Sequence, residues 1–152
     1  MFRSWVPAAG AALLGLAAVL AGCGGSTPSS APVPDDPTAR ACQQVSGDAP
    51  WHGMLRVRGE RVTLDAYDDY FEPSCLVVPA GKPVTVVLTD RGNLPHTLEG
   101  DGTVVSVSVD AGGTTFVTLP ALDRPTRLVC GLHVDHQMVL AVVPEHGGGG
   151  DV

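Results

Sequence analysis

From Arg61 to Val143 the apolar residues recur with a period of two, in short runs that stop at glycine or proline. Successive side chains of a β-strand point to opposite faces, so this alternation marks strands with one face buried. Arg61 to Ala66 places Val62, Leu64 and Ala66 on one face and Arg61, Thr63 and Asp65 on the other. Leu76-Val77-Val78 is a short apolar run closed by Pro79-Ala80-Gly81, and Lys82 to Thr89 alternates again through Val84, Val86 and Leu88. Thr103 to Val109 carries Val105, Val107 and Val109 on one side, Ala111-Gly112-Gly113 turns the chain, and Thr114 to Leu119 is a further β-branched run. After a loop from Pro120 to Pro125, Thr126 to Cys130 and Met138 to Val143 supply the last two strands. No stretch shows a convincing helical period and no internal repeat is present. The 19 Gly and 13 Pro provide the turns such a chain needs. The fold class expected is all-β, a β-sandwich of about seven to eight strands.

The ends of the chain read differently. Arg3 precedes an apolar run from Ala8 to Ala21, shorter than the roughly 20 residues a membrane-spanning helix needs and suited to the apolar centre of an export signal. The run ends in Leu20-Ala21-Gly22-Cys23, which resembles the bacterial lipoprotein signal. That resemblance implies that residues 1–22 are removed, that Cys23 carries lipid, and that the mature protein is extracytoplasmic and anchored to the bacterial cell membrane. Residues 23–40, rich in Gly, Ser and Pro, read as a lipid-anchored flexible linker. At about 3.1 Å per extended residue, such a linker holds a folded domain on the order of 50 Å from the lipid. Residues 145–152 read as a flexible tail, which leaves Ala41 to Pro144 for one core.

Nine Lys and Arg against sixteen Asp and Glu give a net charge of −7, so the chain has no basic footprint for nucleic acid. Asp68, Asp69 and Glu72 form an acidic edge that could dock a basic redox partner but reads first as a solvated face. With Cys23 assigned to lipid, Cys42, Cys75 and Cys130 remain, an odd number for an oxidising compartment. A bridge between Cys42 and Cys75 would pin the N-terminal arm of the domain to an early strand; the rival is a bridge from Cys130 to either of them.

Cys130 has surroundings of its own. The stretch Cys130-Gly131-Leu132-His133-Val134-Asp135-His136-Gln137-Met138 has the spacing Cys-x2-His-x4-Met, and His96 lies 34 residues upstream in Asn93-Leu94-Pro95-His96-Thr97-Leu98. One thiolate, two imidazoles and a weak thioether are the ligand set of a mononuclear blue copper site. A strand, loop and strand can present Cys130, His133 and Met138 in turn, while a neighbouring loop supplies His96. Met138 shares strand parity with Leu140 and Val142, which points its sulfur inward. His136, two residues before Met138, reads as an exposed loop residue, and His52 and His146 as solvent-facing.

Here the chain resembles the cupredoxins, with a ligand loop similar to the plastocyanin and pseudoazurin type. The resemblance spans about residues 60–143 and rests on Phe71-Glu72-Pro73, Val78-Pro79-Ala80-Gly81, Pro95-His96-Thr97 and the loop from Cys130 to Met138. It implies a Greek-key β-sandwich holding one mononuclear type 1 copper ion, with His96, Cys130 and His133 as equatorial ligands and Met138 axial. Many family members carry Asn directly after the first His, where it ties the two ligand loops together. This chain has Thr97 there, whose hydroxyl can still bond neighbouring backbone. Its ligand loop also lacks Pro and contains His136.

Such a site carries single electrons, and the chain is expected to be an electron carrier rather than an enzyme, a monomer that meets redox partner proteins at the membrane. It has no additional His-x-His pair for a multicopper centre and no second Cys in the loop for a binuclear one. The alternative is a copper-homeostasis lipoprotein that exchanges copper with a donor or acceptor without redox turnover. His136, Thr97 and the neighbours His52 and Met54 speak for that alternative. A metal-free interaction module is the third and weakest reading, since all four donors are present.

Overall fold

The computed structural model describes residues 34–100, 103–133, 135 and 137–146. The leader, Cys23, the linker up to residue 33, His136 and the tail from residue 147 lie outside the described residues. Ten strands are described: β1 (Met54–Arg56), β2 (Arg61–Ala66), β3 (Phe71–Glu72), β4 (Cys75–Pro79), β5 (Val84–Asp90), β6 (His96–Gly100), β7 (Ser106–Val109), β8 (Thr114–Leu119), β9 (Thr126–Val129) and β10 (Val139–Glu145). They form two sheets, one of six strands in the order β1-β4-β10-β9-β6-β7 and one of four in the order β3-β2-β5-β8. Both are mixed: β4 runs parallel to β1 and β10, and β2 parallel to β5, while the other neighbours are antiparallel.

The alternation in sequence becomes the sandwich core. Val62, Leu64 and Ala66 of β2 and Val84, Val86 and Leu88 of β5 pack from one sheet against Leu76 and Val78 of β4, Leu98 of β6, Leu128 of β9 and Leu140 and Val142 of β10 from the other. All seven strands read from the sequence are present with ends shifted by a few residues. The three that the period missed are short or disguised. β1 and β3 have three and two residues. In β6 the inward positions are His96 and Leu98, so a buried histidine hides the apolar period.

Two boundaries correct the sequence reading: Glu145, the first residue of the presumed flexible tail, is the last of β10 and pairs with Pro79, and the domain begins before Ala41. Pro37–Ser46 is an α-helix (α1), so the last residues of the presumed linker, Pro37 to Arg40, are helical. Asp36 caps it, its side chain accepting from the N–H groups of Thr38 (2.7 Å) and Ala39 (3.1 Å), with Pro37 in the first turn. Gly47 ends it at φ 66°, a conformation that costs glycine nothing. Its buried stripe is Ala39, Cys42 and Ser46, residues too small and too polar to register as a hydrophobic period.

The helix covers the outer face of the six-stranded sheet. Ala39 and Cys42 pack with Trp51 against Cys75 and Val77 of β4 and Ala141 and Val143 of β10. This explains why β4 and β10 read as unbroken apolar runs: even and odd positions are both buried, one set in the sandwich and the other under α1. Cys42 and Cys75 form a disulfide that bolts the helix to β4, and Cys130 is a free, buried thiol, in accord with the expected pairing.

Candidate metal centre

The β9–β10 connection presents three of the four expected donors. Pairing of Val129 with Val139 is extended by one further backbone bond, from Cys130 N–H to the Met138 carbonyl at 3.1 Å. Cys130 and Met138 are thereby held opposite each other at the mouth of the hairpin. His133 N–H donates to the Cys130 carbonyl at 3.2 Å, and this turn folds the imidazole back, bringing its Nδ1 to 3.3 Å from Cys130 Sγ. Cys130, His133 and Met138 line one small cavity.

The fourth residue comes from the neighbouring strand. His96 opens β6, which pairs with β9, and its Nδ1 lies 3.8 Å from Cys130 Sγ. One donor atom each from His96, Cys130 and His133 fall within 4.8 Å of one another. Thr97 bridges the two segments. Its hydroxyl accepts from Gly131 N–H at 2.8 Å and donates to Cys130 Sγ at 3.8 Å, and its own N–H donates to the same sulfur at 3.3 Å. These two contacts fix the sulfur in position beside both imidazoles. Thr97 thus performs the tying role for which the sequence offered only a hydroxyl.

The loop leading to His96 is anchored by a carboxylate. Asp68 Oδ1 accepts from Asn93 N–H (2.6 Å) and Leu94 N–H (3.2 Å), and Oδ2 from the Asn93 side chain (3.3 Å). The Asn93 N–H, first among these donors, holds the Asp68 carboxyl below the usual carboxylate range. Gly92 allows the close approach: a Cβ there would lie 2.2 Å from Asp68 Oδ1 and 3.0 Å from its backbone nitrogen. Asp68 therefore belongs to the site's scaffold more than to the solvated acidic edge.

A cupredoxin-like domain model matches residues 56–142, from β1 to β10 and through every residue of this cluster. The chain belongs to the cupredoxin-like domain family. Among curated proteins no relative is found. Similar solved structures include dithionite-reduced auracyanin from the photosynthetic bacterium Roseiflexus castenholzii, at 11% identity and a TM-score of 0.50 over 57% of this chain and 98% of that one. A mutant of amicyanin in its reduced form shares 19% identity, with a TM-score of 0.46 over 59% of this chain and 86% of that one. A heme-copper terminal oxidase shares 18%, with a TM-score of 0.48 over 64% and 73%. At such identities the auracyanin likeness speaks for the fold.

In this cupredoxin-like domain the donors suit the family's cofactor, one type 1 copper ion: a soft thiolate, two imidazoles and a nearby thioether. His96 is fully buried, Cys130 and Met138 nearly so, and His133 half-buried. Burial, the largest influence, holds His96 below the ordinary histidine pKa against the opposing pull of the Asp90 carboxylate, which favours the neutral imidazole that metals bind.

His52 stands apart from the cluster. Its ring stacks on Tyr70 with centroids 3.8 Å apart, and its backbone N–H donates to Ser74 Oγ at 2.8 Å. It is half-buried rather than solvent-facing, whereas His146 is exposed.

One polar residue in contact with the cluster went unread in the sequence. Asp90, with a fully buried side chain, lies 3.8 Å from His96 Nε2. Its signal was there: it occupies the next inward position of β5 after Val84, Val86 and Leu88, where another aliphatic residue was due.

Proposed function

We propose that the protein is a one-electron carrier whose type 1 copper ion would be held by His96, Cys130 and His133, with the Met138 thioether as a weaker donor. The observation that carries this reading is the pre-formed convergence of the three strong donors around a sulfur already hydrogen-bonded by Thr97. Copper so bound would supply a Cu(I)/Cu(II) couple. The chain's part is to keep the donors in place in both oxidation states, through the β9–β10 ladder bond at Cys130 and the Thr97 bridge, so that little reorganisation accompanies electron transfer. Half-buried His133 offers the way out for the electron, with Leu132 exposed beside it and Leu94 exposed on the loop that leads to His96. Such an apolar rim suits brief contact with a redox partner.

In the same proposal the domain works outside the cytoplasm, tethered through lipid on Cys23 to the bacterial membrane where its partners reside. Cys23→Ala then releases the protein from the membrane fraction and leaves it without lipid by mass spectrometry. A native protein that is wholly soluble and cut at another position would remove the tether.

The carrier reading is tested against copper exchange by Met138→Gln. The Met138 main-chain carbonyl, not its side chain, holds Cys130 N–H, so the hairpin survives the change. A weak thioether donor would contribute little affinity, while a harder amide oxygen would favour Cu(II) over Cu(I). Copper stoichiometry therefore stays at one and the reduction potential falls, as read by metal analysis and voltammetry. Shedding of copper by Met138→Gln, or rapid loss of Cu(I) from the unaltered protein to a chelator, would replace the carrier with a copper-exchanging protein.

A further inference from the structure

Two polar atoms at the inner side of the cluster have no hydrogen-bond partner, and they face each other. His96 Nε2 and Asp90 Oδ2 are both buried and unsatisfied, 3.8 Å apart, on side chains with no solvent exposure. A buried carboxylate oxygen without a donor is unfavourable, so its presence at a core position of β5 points to a compensating role. Asp90 cannot turn away: its Oδ1 accepts from Gly92 N–H at 2.7 Å and its own N–H donates to the Gly113 carbonyl at 2.9 Å, which fixes Oδ2 toward the imidazole. On the far side of the ring, Nδ1 points to Cys130 Sγ.

We propose that Asp90 is the positioning residue of the metal centre, its carboxylate accepting Nε2–H of His96 so that Nδ1 is left with the lone pair that faces the metal. The proposal rests on the copper reading above. Closing the gap to hydrogen-bond range takes a movement of about 1 Å, within reach of a small tilt of the ring as Nδ1 engages a metal. A carboxylate behind a ligating histidine sets its tautomer and raises its basicity, and such partners typically carry roughly 10–100-fold in metal affinity. The negative charge and the stronger donor both favour Cu(II) over Cu(I).

The test has two arms. In the first, histidine nitrogen and proton NMR of the unaltered protein loaded with Cu(I) or Zn(II), both diamagnetic, should show His96 protonated at Nε2 with slow solvent exchange. A bare Nε2, or an Nε2–H that exchanges freely, would overturn the proposal without any variant. In the second, Asp90→Asn keeps an oxygen for Gly92 N–H but loses the charge. Its Cu(II) affinity should fall by about 10-fold or more, its Cu(I) affinity should change less, and its reduction potential should therefore rise. Equal weakening of both oxidation states, or of neither, would mean that Asp90 only braces the loop, and the proposal would fail. Unaltered protein that binds copper and is blue, with either negative result, would sink the Asp90 role alone. Unaltered protein that takes no copper would sink the electron-carrier reading and this role together.

Discussion

Replacing Cys130 by serine abolishes the visible colour of the copper-loaded protein. The intense absorption of a blue copper site comes from transfer of thiolate electron density to Cu(II), and a serine oxygen, harder and far less readily oxidised, has no transition at that energy. Cys130 is the free thiol among the described residues and lies close to both imidazoles, so no other thiol there can take its place as the sulfur donor. The substitution is nearly isosteric. Thr97 N–H and the Thr97 hydroxyl, which now donate to sulfur, can donate to the serine oxygen instead, and the ladder bond from residue 130 to the Met138 carbonyl is untouched. Loss of colour with retention of the fold, measured by visible absorption and far-UV circular dichroism on the same samples, is the expected result. A colourless Cu(II) form of the unaltered protein would withdraw the type 1 assignment.

Replacing both Cys42 and Cys75 by alanine lowers stability by about 3 to 4 kcal/mol, from the entropy regained by an unfolded chain no longer closed into a loop of this length. For a domain of about 100 residues that is on the order of 15 °C in Tm. The copper spectrum should be unchanged. The bridge joins α1 to β4, and β4 is separated from β9 by β10 in the sheet. Thermal melts of the oxidised protein and of the double variant, followed by visible spectra of both, separate the two contributions. A fall in Tm of only a few degrees would mean that Ala39 and Trp51 alone hold the helix to the sheet.

How much was legible in advance depended on the range of the information. β2, β5 and β10 could be read because their evidence is local: each carries its own burial pattern along consecutive residues. The Cys130 to Met138 loop was legible for the same reason, since Cys130, His133 and Met138 are brought together by one hairpin. Helix α1 was not, because small residues form its buried stripe and its partner surface, Cys75, Val77, Ala141 and Val143, lies far along the chain. The unbroken apolar run at Leu76-Val77-Val78 already implied that something covers a second face of that strand, without saying what.

The sequence by itself determined which residues turn inward and which donors exist for a soft metal, because strand periodicity and ligand chemistry are properties of short stretches. Only the tertiary structure decided that α1 closes the outer sheet, that Thr97 spans from β6 to Cys130 and Gly131, and that Asp90 comes to rest behind His96. An alternating strand specifies that a side chain is buried but not what it is buried against. That second fact is fixed when β5, β6 and β9 pack together, and it makes Asp90, at an inward position next in line after Val84, Val86 and Leu88, the neighbour of a histidine.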